Sequence, residues 1–105
     1  MASADDFRRI ALSFPGAEER AHMGHPDFRV GGKIFATLHG AGAGTGAVML
    51  LPEQQELAID AEPGAFRPAA GAWGRGGSTV VALGSVTDDW LERALEWAWR
   101  KRAPV

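Results

Sequence analysis

The stretch from Glu18 to Leu38, EERAHMGHPDFRVGGKIFATL, most constrains what this chain can fold into. Within it, Arg29-Val30-Gly31-Gly32-Lys33-Ile34 predicts a tight hairpin, because a Gly-Gly pair takes the positive φ of two-residue turns without steric penalty. Three antiparallel strands follow: Glu18 to Met23, then Asp27 to Val30 after a turn at Gly24-His25-Pro26, then Lys33 to Leu38. Side chains alternate with period two along a strand, which places Phe28 and Val30 on one face and Asp27 and Arg29 on the other. In the third strand Ile34, Ala36 and Leu38 oppose Lys33, Phe35 and Thr37. One face is apolar and the other mixed, so helices are expected on one side of the sheet only.

The flanking segments supply those helices. Ser3 and Asp6 form a capping-box pattern, and Phe7, Ile10, Ala11 and Phe14 then recur at helical spacing until Pro15-Gly16 ends the run. The stretch from His39 to Gly46 holds four glycines in eight residues and reads as a flexible loop, leading into a buried strand from Ala47 to Leu51. Pro52 opens a short helix running to about Glu62, anchored by Leu57 and Ala61. The Gly, Pro and Ala-rich run from Gly64 to Ser78 reads as loop, and Thr79 to Leu83 as a further strand. Thr87 caps a last helix with Asp88 and Asp89 in its first turn and Arg100, Lys101 and Arg102 in its last, both matched to the helix dipole. Leu91, Ala94, Leu95 and Ala98 form its core stripe, flanked by Trp90, Trp97 and Trp99.

The resulting order, α-β-β-β-β-α-β-α, gathers strands in the middle and helices at both ends, which is an α+β two-layer domain. A chain of 105 residues makes one domain, spanning 1–105, and buries roughly 60–70% of its unfolded surface. Eleven Lys and Arg stand against 13 Asp and Glu, and the pI near 5.9 weighs against binding driven by bulk positive charge, though not against a local basic face. There is no cysteine, so disulfides, thiolate metal sites and a cysteine nucleophile are excluded. The N-terminal residues lack a signal-peptide pattern, and no window approaches the roughly 20 apolar residues of a membrane span. The expectation is a cytoplasmic protein with no membrane association.

Three separated motifs point to a family. Gly24-His25-Pro26-Asp27-Phe28-Arg29-Val30-Gly31-Gly32-Lys33-Ile34-Phe35-Ala36, then Asp60-Ala61-Glu62-Pro63-Gly64-Ala65-Phe66, then Trp73-Gly74-Arg75-Gly76 resemble the MmcQ/YjbR family of small bacterial proteins, in the family's order. The resemblance implies a CyaY-like fold, with helices on one face of an antiparallel sheet. It also implies the family's label of DNA-binding protein with a "double wing" arrangement. Family members often carry a Lys or Arg and then a large aromatic after the Trp-Gly-Arg-Gly stretch; here Gly77 and Ser78 stand, which removes a stacking contact at that place.

The candidate binding residues are Arg29, Lys33, Arg67, Trp73 and Arg75. Arg29 and Lys33 flank the Gly-Gly turn, and Trp73 and Arg75 sit on a glycine-rich loop; arginine supplies bidentate phosphate contacts and tryptophan a stacking face. The competing reading makes Trp73 a plug in a small core and the cations a solvated rim. His22, His25 and Asp27 suggest a metal by composition, but a spacing of three across a strand end turns the two rings to opposite sides, so no metal and no cofactor is assigned. CyaY-like folds include frataxins, which bind iron through an acidic ridge; here Arg8 and Arg9 follow Asp5 and Asp6 at once, and that role is not expected. Gly42-x-Gly44-x-Gly46 leads into a strand, unlike a dinucleotide fingerprint, and no nucleophile or P-loop motif is present. The expected function is a non-enzymatic binding module with DNA as partner. The alternative, favoured by the acidic pI and four tryptophans, is a module for another protein or a small ligand.

Overall fold

The computed structural model describes residues 2–39 and 43–104. The elements are α1 (Ala4–Ser13), β1 (Glu18–His22), β2 (His25–Val30), β3 (Lys33–Leu38), β4 (Thr45–Met49), α2 (Pro52–Ala61), β5 (Phe66–Pro68), α3 (Gly71–Arg75), β6 (Ser78–Ala82) and α4 (Asp88–Arg102). The six strands form one antiparallel sheet in the order β1-β2-β3-β4-β6-β5. This is the α+β class expected, with α1, α2 and α4 laid over one face.

Local chemistry fixes the helix ends. The Ser3 hydroxyl accepts from the Asp6 N–H at 3.1 Å while the Asp6 carboxylate accepts from the Ser3 N–H at 2.9 Å, completing the capping box of α1. The Thr87 hydroxyl accepts from the Trp90 N–H at 3.4 Å and donates to Glu62 Oε2 at 2.7 Å, so α4 is capped and tied to the end of α2 at one residue. Phe7, Ile10 and Ala11 of α1 and Leu91, Ala94, Leu95 and Ala98 of α4 meet Phe28, Val30, Leu38, Val48 and Val81 in a single core. Trp90, Trp97 and Trp99 are half-buried around it. Trp99 stacks on Phe14 and donates its indole N–H to the Pro15 carbonyl at 2.9 Å.

The hairpin at Gly31-Gly32 has φ of 59° and 80°, as a turn with two left-handed residues requires. The preceding turn is built from Met23 and Gly24, with φ of 50° and 81°, rather than from Gly24-His25-Pro26; His25 and Pro26 already belong to β2. The alternation expected along β3 is broken by a bulge. Asp27 and Phe28 pair with Thr37 and Ala36, whereas Arg29 and Val30 pair with Ile34 and Lys33, which leaves Phe35 without a partner. Two residues then oppose one, so Phe35 joins Ala36 in the core and Ile34 turns to the open face, exchanging the sides read from simple period two.

Three further expectations are corrected. The segment 64–78, read as loop, contains β5 and α3. Phe66 is buried in register with Val81, Pro68 sits on an edge strand where its missing N–H costs no ladder bond, and the α3 backbone is held by Gln55. Helix α2 faces inward with Gln55 and Ala58, while Leu57 is 55% exposed and Ala61 is exposed as well. Its phase is set by the amide of Gln55, which donates to Gly74 O, Ser78 O and Thr79 Oγ1 at 3.0 to 3.2 Å. Strand β4 begins two residues earlier than expected, at Thr45, and the loop read over 39–46 lies partly outside the described residues. Among the described residues no helix is long and apolar enough to cross a membrane.

Candidate binding site on the open sheet face

The face of the sheet away from α1, α2 and α4 carries a trough of about 740 Å³. Its floor is apolar: the bulge presents Ile34, and Ala47, Met49 and Val80 project the same way from β4 and β6. Ala47 and Val80 are only 6% and 9% exposed although they face outward, so the floor is recessed below its rim. Cations stand on that rim: Arg29 and Lys33 come from the hairpin and Arg102 from the end of α4. Trp73 of α3 closes one side and is 75% exposed. Among the described residues no carboxylate lines the trough.

The polar groups at the other side hold one another in place. Asp27 is fully buried; its carboxylate accepts from Arg29 Nε at 2.8 Å and Nη2 at 3.1 Å, and stands 2.7 Å from His22 Nδ1. The Arg29 bonds hold the Asp27 carboxyl below the usual carboxylate range, against the opposing effect of burial, with His22 adding to the lowering. His39 Nδ1 lies 2.6 Å from Thr45 Oγ1, and burial, followed by the charges of His25 and Arg67, pushes its pKa down, favouring the neutral ring. The His22 and His25 rings approach edge to face at 6.4 Å, because these residues are cross-strand partners and share a side rather than pointing apart. Among the described residues no group of three or more His, Asp or Glu comes together in a metal-holding set.

Of the five residues singled out from the sequence, Arg29, Lys33 and Trp73 line this one trough. Arg67 pairs with Val80 and therefore projects from the same face at the β5 edge, exposed. Arg75 is exposed in the last turn of α3 and does not line the trough. Arg29 is bonded to Asp27 instead of projecting from the hairpin tip, and Trp73 stands outside the core instead of plugging it. Sequence reasoning missed Arg102, whose place in the last turn of α4 was accounted for by the helix dipole. It also missed the floor residues, which only the bulge and the strand order bring together.

Nine of the 13 acidic residues lie on α1, α2 and α4 together with six of the 11 basic ones, so those helices carry a net −3 and the remainder of the chain +1.

The family model described as YjbR matches residues 12–101. No curated protein matches the chain. Among solved structures, the crystal structure of the Deinococcus radiodurans protein DR2400, which carries the family-model domain DUF419, superposes with a TM-score of 0.79 at 20% identity, covering 94% of this chain and 77% of that one. That likeness concerns the fold.

Proposed function

Because the chain belongs to the YjbR family, whose model spans 90 of its 105 residues, and carries a cation-rimmed trough, we propose that it is a non-catalytic binding module that takes single-stranded DNA on the open sheet face. The observation that carries this reading is the pairing of an exposed Trp73 with Lys33, Arg29 and Arg102 around an apolar floor. Unpaired bases stack on aromatic and apolar surface while the backbone is tracked by cations, and a single strand offers both contacts where a duplex hides its bases. His22 Nδ1 faces Asp27 and His39 Nδ1 faces Thr45, which fixes the orientation of both rings at the trough. The apolar floor also favours a second reading, in which a flat anionic small molecule occupies the same recess.

The test is fluorescence anisotropy of labelled single- and double-stranded oligonucleotides at about 20 and about 150 mM salt. Binding that weakens linearly on a log–log salt plot is expected, with the single strand preferred. Trp73→Ala should weaken it by about 5- to 100-fold, the worth of one base–aromatic stack. Lys33→Gln should reduce the salt slope by about one. No binding at low salt, or binding indifferent to both substitutions, would overturn the proposal.

A further inference from the structure

Beside the trough, and sharing Met49, Trp73, Ser78 and Arg102 with it, lies a smaller hollow of about 130 Å³. Lys101 joins its wall, and among the described residues no carboxylate does. Three observations there lack a structural explanation. First, Arg102 Nε is out of solvent with no hydrogen-bond partner, although a buried unmet donor is costly and rare. Second, two adjacent cations face one hollow; burial and then the charge of Arg102 push the Lys101 pKa down, so the pair lacks local compensation. Lys101 Nζ spends one donor on the Leu50 carbonyl at 3.1 Å and retains others. Third, the Ser78 hydroxyl has only the Met49 sulfur at 3.7 Å as acceptor, a weak partner. The helix dipole accounts for cations at the end of α4, and Arg100 behaves that way, bonded at 2.8 Å to Glu96 on the outer surface. It does not account for Lys101 and Arg102 both lining one hollow.

We propose that this hollow is a phosphomonoester subsite, with Arg102 and Lys101 neutralising the group, the Ser78 hydroxyl donating to it, and the body attached to it lying across Trp73 into the trough. A phosphomonoester carries about −1.5 to −2 charge at neutral pH and so matches two cations, which one carboxylate or an internal phosphodiester does not. The Arg fork gives the directional contacts and the ammonium the point charge. The proposal extends the single-strand reading to the strand's terminal phosphate but stands on the hollow itself, and a free phosphate or a mononucleotide presents the same chemistry.

The experiment uses the full chain and separates these sources. Oligodeoxythymidines of one length, bearing a 5′-phosphate, a 3′-phosphate or neither, are compared by anisotropy; inorganic phosphate and adenosine monophosphate are titrated separately while backbone amide and indole NMR signals are followed. One phosphorylated end is expected to tighten binding by about 10-fold, with Lys101→Gln, which alters the hollow and not the trough, abolishing that gain while binding of the unphosphorylated strand persists. Inorganic phosphate should move the signals of Ser78, Gly76 and the Trp73 indole in the native chain and not in Arg102→Gln. Should Lys101→Gln not fold, Ser78→Ala carries the same comparison. Equal affinity for all three strands, without phosphate-dependent shifts at the hollow, would overturn the subsite and leave the trough reading standing. Shifts with phosphate or the mononucleotide, but no strand binding, would support the subsite and sink the strand reading.

Discussion

Replacing Asp27 by Asn removes the buried charge that holds Arg29 and His22 beside the trough while preserving the shape of the side chain. In the native chain this fully buried carboxylate accepts two bonds from the Arg29 guanidinium and faces His22 Nδ1 at 2.7 Å. An amide retains one acceptor oxygen and turns an NH₂ toward a guanidinium or a ring nitrogen, so at least one charge-assisted bond is lost and one donor is misdirected. Each charge-assisted bond is worth about 1.5 to 3 kcal/mol, but Asn no longer pays the burial of a charge and Arg29 is partly solvated, which offsets part of the loss. The expected net destabilisation is about 1 to 3 kcal/mol near neutral pH.

The pH dependence has a definite sign. Asp27 titrates lower in the folded chain than in the unfolded one, so its contribution is complete above the unfolded carboxylate range and disappears as pH falls through the lowered folded value. The stability gap between native chain and Asp27→Asn should therefore shrink as pH falls below about 5. Urea unfolding followed by tryptophan fluorescence at a series of pH values measures it directly. A gap under about 0.5 kcal/mol at neutral pH, or one that widens as pH falls below about 5, would refute the account of Asp27 as an ionised, Arg29-held group.

Gln55→Ala should cost about 2 to 4 kcal/mol in urea unfolding, since one buried amide serves Gly74 O, Ser78 O and Thr79 Oγ1, and amide exchange should quicken first across α3. Gly77→Ala should largely prevent folding, as judged by circular dichroism and soluble yield: its φ is 112°, and a Cβ there would intrude on the Leu50 carbonyl oxygen.

What the sequence made legible was local. The Ser3 and Asp6 capping box, the Gly31-Gly32 turn and the Thr87 cap each depend on residues within a few positions, and each formed as read. So did the inward stripe of α4, which spans four turns of strong periodicity. The failures were non-local. Phe35 and Ile34 change sides because β2 and β3 slip by one residue between Phe28 and Arg29, which the alternation of either strand does not reveal. Leu57 looked like an anchor by hydrophobicity, yet the amide of Gln55 turned α2 the other way by reaching residues 19 to 24 positions distant. The candidate site shares that character: Arg29, Lys33 and Trp73 were visible as residue types, whereas Arg102 meets them only because α4 crosses the opposite layer and ends beside the hairpin.

The bulge also bears on the proposal that the open face binds a ligand. An antiparallel sheet with one solvated face ordinarily alternates apolar inward and polar outward residues. Here Ile34, Ala47, Met49 and Val80 are carried outward across β3, β4 and β6, and Phe35 takes the core position that simple alternation would give Ile34. The exchange gives the core the fully buried Phe35 and leaves Ile34 to an apolar floor open to water, which in a merely structural sheet lowers solubility. Cations around that floor, with no carboxylate among its described lining residues, suit an anion with an apolar body although the net charge of the chain is negative. Neutralising Lys33 on the rim should accordingly alter affinity and its salt dependence far more than stability, whereas loss of Arg29 or Asp27, which hold each other, or of Gln55, which holds α3 and with it Trp73, should alter both.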